Sequence, residues 1–264
     1  MTNSKIVIKL GGGLITDKTQ LKTIRENEIK AVCEVLSNIL GNGNSVILVH
    51  GAGSFGHLEA KKWGLATGYD SEIIEQQREA VVKVRNDMIE LNQYVLDHLE
   101  QYGILGVSHP PSLWANGLGS NFHGDISRFE KNDSGTIQVT FGDVVDVMDE
   151  REFGILSGDD LMVRICNEIS DISHCIFLLG DTEGIMTKPP NIDGSELIPV
   201  WSKNQKITGV HEKSQDVTGG IFLKTESASK ICLKVENVWM LDGRKPERIQ
   251  ELIQTGKTIG TKVI

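Results

Sequence analysis

The feature that most constrains the fold is a series of short apolar segments, each followed within two residues by glycine. Runs of valine, isoleucine and leucine without alternating polar residues are typical of strands buried on both faces of a parallel sheet. These segments are KIVIKL at 5–10, SVILV at 45–49, CIFLL at 175–179 and VWML at 238–241. Because strands of this kind need a helix to connect them, the order of elements between them decides the fold class.

Apolar residues between the segments recur at intervals of three and four, which is typical of amphipathic helices. Helices are predicted at 25–40, 71–102, 157–169, after 218–220, and from Pro246 onward with Pro246 as the first helical residue. Strands that alternate with helices predict an α/β protein with a mainly parallel sheet, and the first 50 residues form a β-α-β unit.

Two further strands are predicted at 136–141 and 144–148, joined as a hairpin across Gly142-Asp143, and a last strand near 258–264. Pro189-Pro190 could divide the chain into two halves. No segment has the composition of a flexible linker, so the 264 residues are interpreted as one continuous unit.

Charge and composition exclude several classes of protein. The chain has 27 Lys and Arg against 36 Asp and Glu, a net charge of −9, which argues against binding nucleic acid or membranes by bulk charge. No apolar run approaches the ~18 residues of a membrane span. The apolar patch near the N-terminus, at 6–10, is too short and too charged for a signal peptide. Four scattered cysteines and seven histidines without ligand spacing predict reduced thiols, no protein-held metal and a cytoplasmic location.

Glycine-rich turns at the ends of the predicted strands indicate where a ligand binds. In open α/β sheets ligands lie beyond the carboxyl ends of the strands, and glycine lets backbone N–H groups approach phosphate oxygens closely. Such turns occur at 11–13, 51–56 and 219–220. The side chains beside them that can donate to an anion are Lys9, Lys18, His57 and Lys224.

Two familiar nucleotide motifs fit the second turn only in part. Residues 51–56 match G-x-G-x-x-G, but no acidic residue follows about 20 positions on at the end of a second strand, so a dehydrogenase is disfavoured. His57-Leu58 stands where a P-loop requires Lys-Ser/Thr. Gly256-Lys257-Thr258 lacks the upstream glycine, since Glu251 occupies that place, and a Walker NTPase is disfavoured too.

Five motifs, ordered across nearly the whole chain, resemble those of the amino acid kinase superfamily. They are Lys9-Leu-Gly-Gly-Gly-Leu-Ile-Thr-Asp-Lys18, His50-Gly-Ala-Gly-Ser-Phe-Gly-His57, Ser157-Gly-Asp-Asp160, Gly180-Asp-Thr-Glu-Gly184 and Asp216-Val-Thr-Gly-Gly-Ile-Phe-Leu-Lys224. Within the superfamily the chain is similar to the isopentenyl phosphate kinases, mainly through G-S-F-G-H and Thr16-Asp-Lys18, and fosfomycin kinases resemble this branch closely. Gly13, Ala52 and Leu223 depart from a common Ser, Gly and Gly.

The resemblance implies a three-layer αβα sandwich, with an acceptor-binding half at about 1–175 and a nucleotide-binding half at about 176–264. It also implies a homodimer, ATP with Mg²⁺, and an isoprenyl phosphate acceptor in a mevalonate route to isoprenoids. The residues expected at ATP are Lys9, Gly11, Gly12, Gly13, Gly53, Asp181, Gly220 and Lys224. Those expected at the acceptor are Ala52, His57 and Gly158, and the catalytic set is Lys9, Lys18, His57 and Lys224.

The chemistry of such a reaction explains the residue types. A phosphate acceptor is already anionic and needs no strong base, so the task is to bring two polyanions together. Lysines and backbone donors offset their repulsion, and His57 is expected to orient and neutralise the acceptor. Ile73-Ile74 and 81–84 are candidates for an apolar wall around the tail. A kinase acting on a phosphonate, carboxylate or UMP, or a nucleotide-binding protein without turnover, remain alternatives.

Overall fold

The computed structural model describes residues 4–17, 19–131, 133–190, 192–203 and 220–264. The strands are β1 (Lys5–Leu10), β2 (Thr16–Asp17), β3 (Thr23–Ile24), β4 (Ser45–His50), β5 (Leu105–Ser108), β6 (Thr136–Phe141), β7 (Asp143–Asp146), β8 (Phe153–Leu156), β9 (Ile172–Leu179), β10 (Val200–Trp201), β11 (Asn237–Asp242) and β12 (Thr261–Val263). The helices are α1 (Gly12–Ile15), α2 (Glu26–Gly41), α3 (Gly53–Lys62), α4 (Ile74–Gln101), α5 (Gly158–Glu168), α6 (Gly220–Ile231) and α7 (Glu247–Thr255).

An eight-stranded sheet forms the centre of the molecule, in the order β10-β12-β11-β9-β1-β4-β6-β5. Every neighbouring pair is parallel except β11 and β12. In the middle of the sheet Lys9 pairs with Val49 on one side and Phe177 on the other. The mainly parallel open sheet predicted from the sequence is confirmed, and its central strands end side by side.

Helices cover both faces of the sheet. Side chains alternate along a strand, so Ile6, Ile8 and Leu10 of β1 enter one core and Val7 enters the other. The first core also contains buried residues of α2, α4 and α7, whereas the second contains those of α5 and α6. The three-layer αβα sandwich is therefore confirmed. Lys9 lies on the same face of β1 as Val7 and so faces α5.

The hairpin predicted across Gly142-Asp143 is wrong. β6 pairs with β4 and β5 inside the main sheet, and both of those pairings are parallel. β7 leaves the sheet and forms an antiparallel pair with β8, from Asp143 opposite Leu156 to Asp146 opposite Phe153. The reason is burial: β6 is buried on both faces and lies between β4 and β5, so both of its edges are already paired and Gly142 carries the chain out of the sheet rather than back along it.

Other differences from the predictions are smaller. α4 begins at Ile74 rather than near residue 71, the last strand spans only Thr261–Val263, and Pro246 precedes α7 instead of opening it. The short strands β2, β3, β5, β8 and β10 were not predicted. Lys18 and the Thr218-Gly219 part of the third turn lie outside the described residues.

The structure also bears on two predictions from the sequence, that the thiols are reduced and that the chain has no membrane span. All four cysteines are unpaired; Cys33, Cys166 and Cys175 are buried and Cys232 is half-buried. Burial raises the pKa of the Cys33 thiol to about 12, so this group stays protonated at neutral pH. In the part of the chain that the structure describes, no helix combines the length and the apolar character needed to span a bilayer.

Candidate active site

A cleft of about 400 Å³ opens at the carboxyl ends of β1, β4 and β9. The turn after each of these strands contributes glycine to its lining: Gly11 after β1, Gly51 after β4 and Gly180 after β9. This is the place where parallel sheets bind ligands, because the strand ends converge there and their connecting loops separate. Two of the turns singled out in the sequence, 11–13 and 51–56, thus meet in one site, where the turn at Gly180 joins them.

The first two glycine turns are in direct backbone contact. A Cβ atom on Gly12 would lie 2.4 Å from the backbone nitrogen of Gly53, and one on Gly51 would lie 2.7 Å from that of Gly12. Gly53 also has a φ of +50°, a conformation that side chains rarely adopt. Glycine is therefore required at these positions by close approach, and the two turns act as one surface.

Three helices begin at the cleft. α3 starts at Gly53, α5 at Gly158 and α6 at Gly220, and residues of the first turn or two of each line the cavity. The first N–H groups of a helix have no partner within it, and the helix dipole places partial positive charge there. Three converging helix N-termini make the cleft attractive to polyanions without any broad basic surface, which agrees with the net charge of −9.

The charged centre of the cleft is a buried ion pair. Lys9, near the end of β1, is 5% exposed, and Asp159, in the first turn of α5, is 4% exposed. Lys9 Nζ lies 2.5 Å from Asp159 Oδ1. Lys224, on α6, lines the same cleft and is close enough to act on the charge of both groups. One carboxylate is thus paired with Lys9, and Lys224 acts on its charge, at the point where the strand ends meet.

The charges in this group influence one another's pKa. Burial would raise the pKa of Asp159, but the positive charges of Lys9 and Lys224 hold it below its usual value. Burial lowers the pKa of Lys9, Asp159 opposes that shift, and the like charge of Lys224 adds to it. Asp159 is consequently ionised at neutral pH, and its carboxylate counters the like-charge repulsion between Lys9 and Lys224.

The N-terminus of α5 explains why Asp159 rather than its neighbour reaches Lys9. Ser157 is the N-cap: its Oγ accepts a hydrogen bond from Asp160 N at 3.1 Å and donates to Asp160 Oδ2 at 2.6 Å. The Asp160 carboxylate is therefore already hydrogen-bonded to the N-cap residue. A Cβ on Gly158 would lie 3.1 Å from Lys9 Cε, so a glycine here keeps the helix close against the lysine.

The two histidines that flank the second turn differ in environment. His50 is wholly buried, stacks on Phe141, and its ring nitrogens lie 3.2 Å from Gly51 O and Asn92 Oδ1. Burial lowers its pKa to about 4, so it is neutral at physiological pH. His57, on α3, lines the cleft instead. Of the two, only His57 is placed to face a bound ligand.

One end of the cleft is apolar. Ala60 of α3, Val84 and Met88 of α4, and Val144 and Ile155 of the β7–β8 pair line it next to Ala52, His57 and Gly158. We call these five apolar residues the tail chamber. Val84 and Met88 are four residues apart and so lie on one face of α4. Of the wall predicted from the sequence, Val84 lines the cleft and Ile73, Ile74 and Val81 do not.

The opposite end of the cleft is formed by the turn after β9 and the start of α6. Asp181, Thr182, Gly184, Ile185, Met186 and Ile221 line it. Thr182 Oγ1 donates to Gly184 O at 2.8 Å, which fixes the turn. A Cβ on Gly180 would lie 2.5 Å from the backbone of Gly13, so this turn packs directly on the first glycine turn.

Most of the residues predicted for the site are brought together in this cleft. Lys9, Gly11, Gly12, Gly13, Ala52, His57, Gly158, Asp181 and Lys224 line it. Gly53 contacts Gly12 beneath it, and Gly220 begins α6. Lys18 is outside the described residues. Placement does not itself assign a role to each residue, so the roles stay predictions.

Four charged residues that line the cleft were not predicted as site residues: Asp17, Arg25, Asp143 and Asp159. Asp159 stood beside the predicted Gly158 but was interpreted only as part of a capping sequence. Arg25 lines the cleft, yet it was interpreted only as the start of a helix. The signal for Asp159 was available, because side chains in the first turn of a helix that begins at a ligand site can point toward that site.

Comparison with known proteins gives the family. A sequence model of the amino acid kinase family matches residues 4–240. The chain is 32% identical to the isopentenyl phosphate kinase of Thermoplasma acidophilum over 256 residues, covering 94% of this chain and 95% of that protein. It is 27% identical to the isopentenyl phosphate kinase of Methanothermobacter thermautotrophicus, with 98% of each chain covered.

Solved structures agree. The crystal structure of the product complex of the T. acidophilum isopentenyl phosphate kinase has a TM-score of 0.80 and 29% identity, covering 99% of this chain and 100% of that one. The resemblance inferred from the five motifs is confirmed. The chain belongs to the amino acid kinase family and, within it, to the isopentenyl phosphate kinases.

Proposed function

We propose that this protein transfers the γ-phosphoryl group of ATP to isopentenyl phosphate and releases isopentenyl diphosphate and ADP. The observation that carries the proposal is one cleft in which the Lys9–Asp159–Lys224 group separates an apolar chamber from a glycine-lined turn. An acceptor with a charged head and a short hydrocarbon tail matches that division. The nucleotide fits the end formed by Asp181 and its turn, against the first glycine turn.

The chain's own residues supply positioning and charge. The acceptor oxygen is already anionic, so no group has to remove a proton from it. Lys9 and Lys224 stabilise the charge that spreads over the transferring phosphoryl group, and the N-termini of α3 and α5 offer backbone donors to the acceptor phosphate. His57 donates to that phosphate and orients it. Bringing both polyanions to one positive centre offsets the repulsion that separates them in water.

Mg²⁺ is proposed to enter with the nucleotide. Among residues 4–17, 19–131, 133–190, 192–203 and 220–264, no group of three His, Cys, Asp or Glu is placed to hold a metal ion. Asp159 in the cleft is already paired with Lys9. Mg²⁺ commonly keeps most of its water and binds substrate phosphates, so the ATP oxygens can hold it. It would supply charge neutralisation there.

The wider setting is proposed from the same family. Residues up to about 175 provide the acceptor side and those from about 176 the nucleotide side, with Lys9 and the first glycine turn shared. The reaction belongs to isoprenoid precursor synthesis by a mevalonate route that passes through isopentenyl phosphate. The protein acts in the cytoplasm on a small molecule, without nucleic acid or membrane partners.

The proposal is tested by an ADP-release assay with acceptors offered separately. The acceptors are isopentenyl phosphate, fosfomycin, N-acetylglutamate, carbamate and UMP. Turnover with isopentenyl phosphate at a kcat/KM well above the others is the expected result. A preference for fosfomycin would make the protein a phosphonate kinase, and ATP binding without turnover on any acceptor would indicate a non-catalytic nucleotide-binding protein.

Replacing His57 by alanine is expected to lower kcat/KM for isopentenyl phosphate by about 10²-fold, because one donor to the acceptor phosphate is lost. The KM for the acceptor should rise while that for ATP changes little. Steady-state kinetics with each substrate varied in turn measures this, and His123→Ala, at an exposed histidine, is the control. Full activity with an unchanged acceptor KM would contradict the role.

Enlarging the tail chamber is expected to change acceptor preference. Ile155 is half-buried and lines the chamber, so Ile155→Ala removes contacts with a short tail and makes room for a longer one. We expect kcat/KM for isopentenyl phosphate to fall about 10-fold and that for geranyl phosphate to rise. Ile253→Ala, at a half-buried isoleucine in the same core, is the control. Equal losses for both acceptors would mean that the tail lies elsewhere.

A homodimer is proposed through the outer face of α4. Val82 and Ile89, seven residues apart on α4, are 57% and 45% exposed, and Leu105 on the edge strand β5 beside it is 65% exposed. Exposed apolar side chains along one helix face favour association. Ile89→Asp is expected to convert a dimer into a monomer in sedimentation, and a wild-type monomer would contradict the proposal.

A further inference from the structure

We infer that Thr16 is a positioning residue for phosphoryl transfer, because its single hydroxyl holds the donor-side and acceptor-side glycine turns at a fixed separation. The inference rests on the proposed function for the assignment of each glycine turn to ATP or to the acceptor. The hydrogen bonds of Thr16 that join the two turns come from the structure. Thr16 is wholly buried at the start of β2, directly after the one-turn helix α1.

The Thr16 hydroxyl joins the two turns by a pair of hydrogen bonds. Its Oγ1 donates to Gly12 O at 2.8 Å, and Gly12 belongs to the turn proposed to face ATP. The same Oγ1 accepts from the backbone N–H of Ser54 at 2.9 Å, and Ser54 lies in the first turn of α3, whose N-terminus is proposed to face the acceptor. One atom therefore bridges the two sides of the reaction.

The surrounding contacts leave this bridge little freedom. A Cβ on Gly53 would lie 2.0 Å from Thr16 Oγ1, so the hydroxyl fills the space next to the bend of the acceptor turn. Ser54 Oγ in turn accepts from the backbone N–H of Thr23 at 3.3 Å, which connects the start of α3 to β3. β3 pairs with β2, the strand that carries Thr16. Thr16 is thus linked to Ser54 by a hydrogen bond, Ser54 to Thr23 on β3, and β3 back to β2, which carries Thr16.

The separation of the two turns matters for the chemistry. The attacking oxygen and the transferring phosphorus must be held about 3 to 3.5 Å apart and in line, and a misplacement of about 1 Å costs about 10²-fold in rate. Both substrates can still bind if the turns drift slightly, since each turn keeps its own donors. Loss of the bridge should accordingly lower kcat more than it raises either KM.

A purely structural role predicts a different result. If Thr16 only closes the C-terminus of α1, its loss lowers thermal stability and leaves kcat of the folded enzyme unchanged. Thr16→Val keeps the shape of the side chain and removes both hydrogen bonds. Thr16→Ser keeps the hydroxyl and removes only a methyl group. The pair separates the hydrogen bonds from the packing.

The test compares these two variants with Thr140→Val in the full chain. Thr140, on β6, is also wholly buried, and its Oγ1 donates to the backbone carbonyl of His109 at 2.9 Å. Thr140→Val therefore makes the same chemical change at a buried threonine elsewhere in the fold. We expect Thr16→Val to lower kcat about 10²-fold with both KM values within about 3-fold, and Thr16→Ser to stay within about 3-fold of wild type. Thr140→Val should retain kcat.

Hydrogen exchange at the Ser54 amide gives a readout that does not depend on the acceptor. Exchange should be faster in Thr16→Val than in Thr16→Ser or Thr140→Val. A kcat of Thr16→Val equal to that of Thr140→Val, or unchanged exchange at Ser54, overturns the inference. If wild type uses another acceptor in the panel, the proposed substrate fails, and the same kcat comparison is made with that acceptor.

Discussion

Replacing Lys9 by alanine is expected to lower kcat by about 10²- to 10³-fold. Lys9 lies near the end of β1, in the cleft where the strand ends meet, and in the proposed reaction it stabilises the transferring phosphoryl group. Lys9 is buried, and in a buried position an ammonium group interacts more strongly with developing negative charge than it does in water. KM for either substrate should change far less than kcat, because several backbone donors still hold the phosphates.

The Lys9 variant also leaves Asp159 buried with one partner fewer, so stability must be separated from catalysis. Removing one member of a buried ion pair costs about 3–5 kcal/mol. The double variant Lys9→Ala, Asp159→Asn removes both charges and should recover much of the stability while kcat stays low. Thermal unfolding and steady-state kinetics on the same samples show this. Lys5→Ala, on the same strand with its Nζ on a surface carbonyl, is the control.

Recovery of kcat in the double variant would contradict a direct role for Lys9, since it would mean that the unpaired Asp159 carboxylate caused the loss. A Lys9→Ala enzyme whose only defect is a raised KM for ATP would contradict it as well. Lys224→Ala is expected to lose kcat to a similar extent, because Lys224 lines the cleft and acts on the same charged group.

The glycine turns that line the cleft could be predicted from the sequence because their signal is local. Glycines after a buried strand, with Lys9 on the strand itself, identify a turn that approaches an anion whatever surrounds it. The buried strands identified the parallel sheet for a similar reason, since an apolar run needs cover on both faces.

The parts that the sequence did not predict depend on packing between distant segments. Asp159 and Asp160 are adjacent and chemically identical, and only the contact of α5 with β1 shows that the first meets Lys9. Val84 and Val81 are both buried on α4, but only Val84, which packs beside Gly56 of α3, lines the cleft. Gly142-Asp143 has the composition of a hairpin turn, yet β7 pairs with a strand that was not predicted.

Asp159→Asn is expected to lower kcat by about 10²-fold although Asp159 touches no substrate in the proposed reaction. The carboxylate holds Lys9 at 2.5 Å and counters the repulsion between Lys9 and Lys224. Without it the two like charges separate, and Lys9 no longer lies where the phosphoryl group passes. The matched control is Asp160→Asn, one residue on, where the asparagine side chain can still accept from Ser157 Oγ.

The unfolding free energies of Asp159→Asn and Asp160→Asn, each compared with wild type, are expected to depend on pH in opposite directions. The folded-state pKa of Asp159 is lowered, so its ionisation stabilises the fold above the unfolded pKa of about 3.9 and this stabilisation is lost as pH falls through the folded value. The difference in unfolding free energy between wild type and Asp159→Asn, about 3–5 kcal/mol at pH 7, should therefore shrink below about pH 4.

For Asp160, burial raises the pKa despite its hydrogen bonds to Ser157, so its ionisation is less favourable in the fold than in the unfolded chain. Asp160→Asn should then cost little at pH 7. Denaturant unfolding of the three proteins at pH 7 and at pH 3.5 measures both effects. If Asp160→Asn lowered kcat and stability as much as Asp159→Asn, the role of Asp159 would be to support the N-terminus of α5 as a whole. The proposed role through its contact with Lys9 would then be wrong.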